Sequence, residues 1–179
     1  MKIDLSTCSE EELWQHVAVH LEKNGLRCVL VGGSVVSIYT EGLYRSGDLD
    51  IIIQNLVKDK LPALMKDLGF KKMHRHYVHP ECSHLIVEFP QGPLAIGDET
   101  DIKPETVDIG GTTIRLLSPT DCIKDRLASY IYGNTRDALD QAVLVAKRQP
   151  FQKSKIKKWC EKERRTDVFA EFIEKLKDS

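Results

Sequence analysis

Asp48 and Asp50 stand two residues apart at the head of the run Asp48-Leu49-Asp50-Ile51-Ile52-Ile53, and Gly32-Gly33-Ser34 follows the apolar run Cys28-Val29-Leu30-Val31. Strands disfavour aspartate, so a strand that opens on two of them needs a reason. Residues i and i+2 of a strand share a face. The two carboxylates therefore point one way, while Leu49, Ile51 and Ile53 point into the core. Their attachment points lie roughly 6–7 Å apart, near enough to converge on one pair of cations and to repel each other without one. Mg²⁺ takes oxygen ligands of this kind and leaves its other positions to water and phosphate oxygens. Gly32, Gly33 and Ser34 offer the complement. Glycines between a strand and a helix let the backbone approach a phosphate, the helix start favours negative charge, and the Ser34 hydroxyl adds one more hydrogen bond. No Gly-Lys-Ser/Thr follows, which excludes a Walker A loop, and the third glycine of the dinucleotide fingerprint is absent.

A strand, Gly33-Ser34, thirteen residues, then Asp48-Leu49-Asp50-Ile51 resembles the signature of the nucleotidyltransferase superfamily, with its polymerase-β-like fold. The resemblance implies an α+β architecture: a nucleotidyltransferase-like mixed sheet flanked by helices (residues 1–117), followed by a C-terminal helical region (residues 118–179) packed on it. It implies a third metal-binding carboxylate from a later strand. His84-Leu85-Ile86-Val87-Glu88-Phe89 offers Glu88, with Asp98 and Asp101 as alternatives. Asp121 to Leu127, followed by Arg136-Asp137-Ala138-Leu139-Asp140, is similar to the helical half of the AbiEii-like toxin branch. There Lys124 would contact the nucleoside triphosphate and Asp137 would orient that lysine or the helix pair. Surface ion pairing is the other reading of this second motif. The reaction implied is metal-dependent nucleotidyl transfer with two Mg²⁺ ions held by Asp48, Asp50 and Glu88. Gly32, Gly33 and Ser34 would fix the triphosphate, and Arg45 would reach acceptor or phosphates. The acceptor stays open among a tRNA end, a protein hydroxyl and a small molecule, and the toxin branch implies an antitoxin protein as partner. Two other classes compete: a catalytically silent module of the same fold, and a nucleic-acid-binding protein using the basic C-terminal helices.

The elements that must position these residues are legible from caps and periodicity. Ser9 and Glu12 form a capping box for a helix to Lys23, stopped by Asn24-Gly25. Short strands are expected over Cys28–Val31, Asp48–Gln54 and His84–Phe89. Helices are expected from Ser34 to Gly42 and from Lys58 to Asp67. Gly110-Gly111 between Thr106–Ile109 and Thr112–Leu116 is a hairpin signal. After Leu117 the pattern is helical only: Ser118-Pro119 opens a helix to Tyr132, Gly133-Asn134 breaks it, Thr135–Lys147 forms another, and one or two more reach Lys177.

Composition sets the outer bounds. The chain has 179 residues, 41% of them hydrophobic, and a net charge of −1, which argues against strong global attraction to nucleic acid. Nine cations between Lys147 and Arg165 stand against Glu161 and Glu163, as a solvated helical face or a phosphate-tracking surface. Five scattered cysteines predict reduced thiols and a cytoplasmic setting. No apolar run approaches the ~18 residues of a membrane span. His74, His76, His79, Cys82 and His84 crowd one window, read as a zinc site, a polar loop near the cleft or an ordinary surface loop. Cys122 reads as buried and inert, and Trp159 as an anchor or a base-stacking platform.

Overall fold

The computed structural model describes residues 3–55, 57, 59–133 and 135–178. Helix α1 (Glu10–Lys23) starts at its capping box: Ser9 Oγ accepts from the Glu12 N–H at 3.2 Å, and the Glu12 carboxylate accepts from the Ser9 N–H at 2.9 Å. Then come β1 (Cys28–Val31), α2 (Gly33–Tyr39), β2 (Asp48–Ile53) and α3 (Lys60–Asp67). The expected start of the last helix, Lys58, falls outside the described residues.

The histidine-rich window is where expectation and structure part. Instead of a loop it contains β4 (His76–His79), with β3 (Lys71–Met73) just ahead of it, and β5 (Cys82–Glu88) begins two residues before the expected His84. Neither short strand announces itself, because β3 is exposed at every position and β4 buries only Tyr77. Strands this solvated lack the period-two alternation that marks a half-buried strand. The hairpin of β6 (Glu105–Ile109) and β7 (Thr112–Leu116) forms as its glycines predict, both at positive φ.

Among the described residues these strands form one mixed sheet in the order β3-β4-β5-β2-β1-β7-β6. Strand β1 lies antiparallel to β2 and parallel to β7, and β2 lies parallel to β5. Each residue of β1 is buried, as expected for a strand flanked and covered on both faces.

The C-terminal helices are α4 (Pro119–Tyr132), α5 (Ala138–Arg148), α6 (Lys153–Lys162) and α7 (Thr166–Asp178). Ser118 caps α4, accepting from the Asp121 N–H at 3.1 Å, with Pro119 in the first turn. Helix α5 begins three residues later than expected. Arg136 and Asp137 form a turn ahead of it, closed by a hydrogen bond from the Ala138 N–H to the Thr135 carbonyl at 3.1 Å. Ile123 and Leu127 of α4, Leu139 and Ala142 of α5, and Phe172 of α7 join the same hydrophobic core as the sheet. Trp159 is 2% exposed and donates its indole N–H to the Ile96 carbonyl at 3.0 Å, so it anchors α6. Cys122 is fully buried, and burial pushes its thiol well above the ordinary range. All five cysteines are free. Among the described residues no helix is long and apolar enough to cross a membrane.

Candidate active site

Strand register assembles the carboxylates. Asp50 pairs with Val31 on one side and with Glu88 on the other, and Asp48 pairs with Ile86. Paired residues of neighbouring strands present side chains on the same face, about 4.8 Å apart. Asp48, Asp50 and Glu88 therefore share one face, and all three are half-buried. Burial pushes the Asp50 carboxyl up to about 6, helped by the charges of Asp48 and Glu88, while the Arg126 guanidinium pulls the other way. Of the three candidates for the later carboxylate, Glu88 is the one beside Asp50. Asp98 and Asp101 sit in the segment before β6, and the Asp98 backbone N–H is held by the Glu163 carboxylate at 2.9 Å. Glu88 is loosely paired, with Arg75 Nε at 3.4 Å on a side chain 85% exposed and His76 Nδ1 at 3.9 Å. An ion pair this exposed is worth little.

The glycines earn their place through the carboxylates themselves. Gly32 has φ 75° and ψ −157°, a region open essentially to glycine alone. A Cβ on it would lie 2.5 Å from Asp50 Oδ2, and a Cβ on Gly33 would lie 2.5 Å from Ser46 Oγ. Ser46 in turn donates its hydroxyl to Asp48 Oδ1. So Gly32-Gly33 lets the end of β1 pass directly over the acidic pair. Next along the chain, the Ser34 hydroxyl is fully buried and has no hydrogen-bond partner among the described residues.

Glu10 is a part of this site that no local pattern in the sequence announces. It is 6% exposed, and its carboxylate accepts from the Ser46 N–H at 2.8 Å, the Gly47 N–H at 3.4 Å and the Ser37 hydroxyl at 2.8 Å. It thereby ties the first turn of α1 to α2 and to the loop that delivers Asp48. Glu10→Ala leaves two backbone N–H groups of that loop without their acceptor, and we expect a loss of about 2 kcal/mol in urea unfolding. Weaker divalent-ion binding at Asp48 should accompany it; unchanged stability would argue against the tie.

Lys124 is buried, with Nζ 2.6 Å from Glu99 Oε2 and 2.8 Å from Asp121 Oδ1. The cation that Asp50 feels is Arg126, held by Asp125 at 2.6 Å and by Gln141 Oε1 at 3.3 Å. Asp137 fixes Gln141 at 2.8 Å, and Gln141 also donates to the Tyr44 hydroxyl at 3.1 Å. Asp137 thus braces the α4–α5 pair and, through Gln141, the guanidinium of Arg126. Arg45 is exposed and lines a cavity of about 790 Å³ together with Cys8, Glu10, Gly47 and His84. That cavity adjoins the start of β2 but is not lined by Asp48, Asp50 or Glu88, so the acidic face is a separate feature.

Divalent ions fit the residues present. Three carboxylates share one face of the sheet, and burial together with the neighbouring charges pushes the middle one towards protonation.

No protein-family model and no curated protein matches the sequence. Solved structures do. An antigenic nucleotidyltransferase-like protein from Paracoccidioides brasiliensis superposes with a TM-score of 0.56 at 18% identity, over 78% of this chain and 76% of that one. The antibiotic-resistance factor ANT(2'')-Ia in solution gives 0.53 at 13% identity, over 92% and 91% of the two chains. Its crystal structure in complex with adenylyl-2''-tobramycin gives 0.53 at 14% identity, over 92% and 97%. With its mixed sheet and its C-terminal helices, the chain has a nucleotidyltransferase-like fold.

Proposed function

We propose that the protein transfers a nucleoside monophosphate from a nucleoside triphosphate to an acceptor hydroxyl, releasing pyrophosphate. The observation that carries this reading is the register of β2 and β5, which sets Glu88 beside Asp50 on the face that also carries Asp48. Asp48 and Asp50 would hold both divalent ions and Glu88 would complete the set nearest the acceptor. When bound, such ions neutralise phosphate charge and favour the alkoxide form of the acceptor.

The chain's own groups do the rest. The Ser34 hydroxyl donates to a phosphate oxygen, which supplies its missing partner. Gly32 and Gly33 keep that approach free of side chains. We assign the cation that balances the triphosphate to Arg126, because its charge acts on Asp50, whereas Lys124 is paired with Glu99 and Asp121. The acceptor oxygen forms a bond to the α-phosphorus, the bond from that phosphorus to the pyrophosphate oxygen breaks, and the acceptor proton passes to Glu88 and on to solvent. For the acceptor we favour the hydroxyl of a small molecule, since one solved protein of this fold carries adenylyl-2''-tobramycin, a nucleotidylated small molecule.

Calorimetric titration of MgATP, MgGTP, MgCTP and MgUTP into the wild type and into Asp48→Asn/Asp50→Asn, with EDTA as control, tests the reading. We expect metal-dependent binding of at least one triphosphate, lost in the double variant. Failure of a folded wild type to bind any of the four would point instead to a silent module.

A further inference from the structure

We propose that Cys8, Cys82 and His84 form a second metal centre, a Cys₂His site for zinc, separate from the carboxylate site. The ligand atoms of these three residues all lie within 4.8 Å of one another. Tetrahedral zinc with thiolate and imidazole ligands needs donor atoms roughly 3.5–3.8 Å apart, so the cluster has to contract by about 1.3 Å at most.

The three residues come from two distant parts of the chain. Cys82 and His84 sit two apart on β5, and Cys8 sits in the segment ahead of the α1 capping box. The histidine-rich window thus contributes only two of its five metal-ligand residues. His79 is engaged elsewhere, its ring 5.2 Å from that of Phe70 and its Nδ1 accepting from the Glu81 N–H at 3.1 Å, while His76 lies beside Glu88.

Two further observations favour an ion over a chance cluster. His84 Nε2 lies 2.8 Å from the Cys8 carbonyl oxygen; as the donor of that bond it anchors the ring to the segment that carries Cys8 and leaves Nδ1 to bind the ion. Backbone carbonyls orient metal-binding imidazoles in this way. The two sulfurs are buried, whereas Cys8 and His84 line the cavity of about 790 Å³. Three protein ligands beside an open cavity leave a fourth position for water or an exogenous donor, the coordination of an open zinc site. The donor sets also sort the metals. Two sulfurs and an imidazole select zinc, while the all-oxygen set at Asp48, Asp50 and Glu88 selects magnesium. Zinc at this place would clamp the start of the chain onto the strand whose far end is Glu88.

The test is cobalt substitution in the full-length, reduced protein with excess Mg²⁺ present. We expect one Co²⁺ per chain, near-ultraviolet thiolate-to-cobalt charge-transfer absorbance, and visible bands of tetrahedral intensity that one equivalent of Zn²⁺ abolishes. The bands should persist in Asp48→Asn/Asp50→Asn and in Cys122→Ser. They should vanish in Cys8→Ser/Cys82→Ser, and His84→Ala should weaken cobalt binding at least tenfold. Absence of a thiolate band in the wild type overturns the proposal, and so does a band that survives Cys8→Ser/Cys82→Ser. Because the wild-type spectrum alone can refute it, a poorly folded variant does not shelter it.

Discussion

Replacing Asp50 by asparagine is expected to stabilise the metal-free protein at neutral pH while removing the metal-dependent nucleotide binding proposed above. The folded-state carboxyl titrates at about 6 against an ordinary value of 3.8, first through burial and then through Asp48 and Glu88. Between those values the folded state holds a proton that the unfolded state has lost, so stability falls as pH rises across the window. At ~1.4 kcal/mol per pH unit, the loss amounts to about 3 kcal/mol by pH 7. Asparagine carries no charge and escapes it. In EDTA, thermal unfolding should therefore rank Asp50→Asn above wild type at pH 7.5, and the two should converge near pH 4. Magnesium should raise the melting temperature of the wild type and leave that of the variant unchanged. A variant less stable than wild type in EDTA at pH 7.5 would show that the acidic face carries no stored repulsion.

Gly32→Ala should have a large structural effect. The backbone there sits at φ 75° and ψ −157°, which costs a non-glycine residue about 1–3 kcal/mol. The new Cβ would also lie 2.5 Å from Asp50 Oδ2, adding about 1–3 kcal/mol of overpacking. We expect a total loss of roughly 2–6 kcal/mol in denaturant unfolding. The two causes separate in a double-mutant cycle, since Asp50→Ala removes the oxygen that clashes and leaves the backbone cost in place. Gly32→Ala should thus be milder in the Asp50→Ala background; equal costs in both would assign the whole effect to the backbone.

What could be read from the sequence was what the chain encodes locally. The capping box at Ser9 and Glu12, the pairing of Gly33-Ser34 with Asp48-Leu49-Asp50, and the Gly110-Gly111 hairpin each lie within a few residues or one supersecondary unit. Glu88 was reachable only as one of three acids, because its claim rests on register with Asp50 across a long stretch of chain. Glu10 was hidden in plain view: as the first residue of an acidic helical turn it resembles a solvent-facing dipole partner, and only tertiary packing turns it inward. Arg126 shares its helix with Lys124, and nothing in their spacing says which one faces Asp50. Strands β3 and β4 escaped because a strand that buries almost nothing leaves no hydrophobic signature.

The pairing of β2 with β5 also bears on the order in which the chain acquires its structure. Asp48 and Asp50 are neighbours from the moment of synthesis, but Glu88 joins them only after α3, β3 and β4 have been laid down between the two parallel strands. The central strand β1 waits longer still for its parallel partner β7. Contacts of such sequence separation form late and slowly, since the loop must close before the contact repays it. If the acidic face binds a divalent ion as proposed, full affinity would be gained near the end of folding. A nascent or partly folded chain would offer the ion two carboxylates at most, so metal capture would itself report that the sheet is complete.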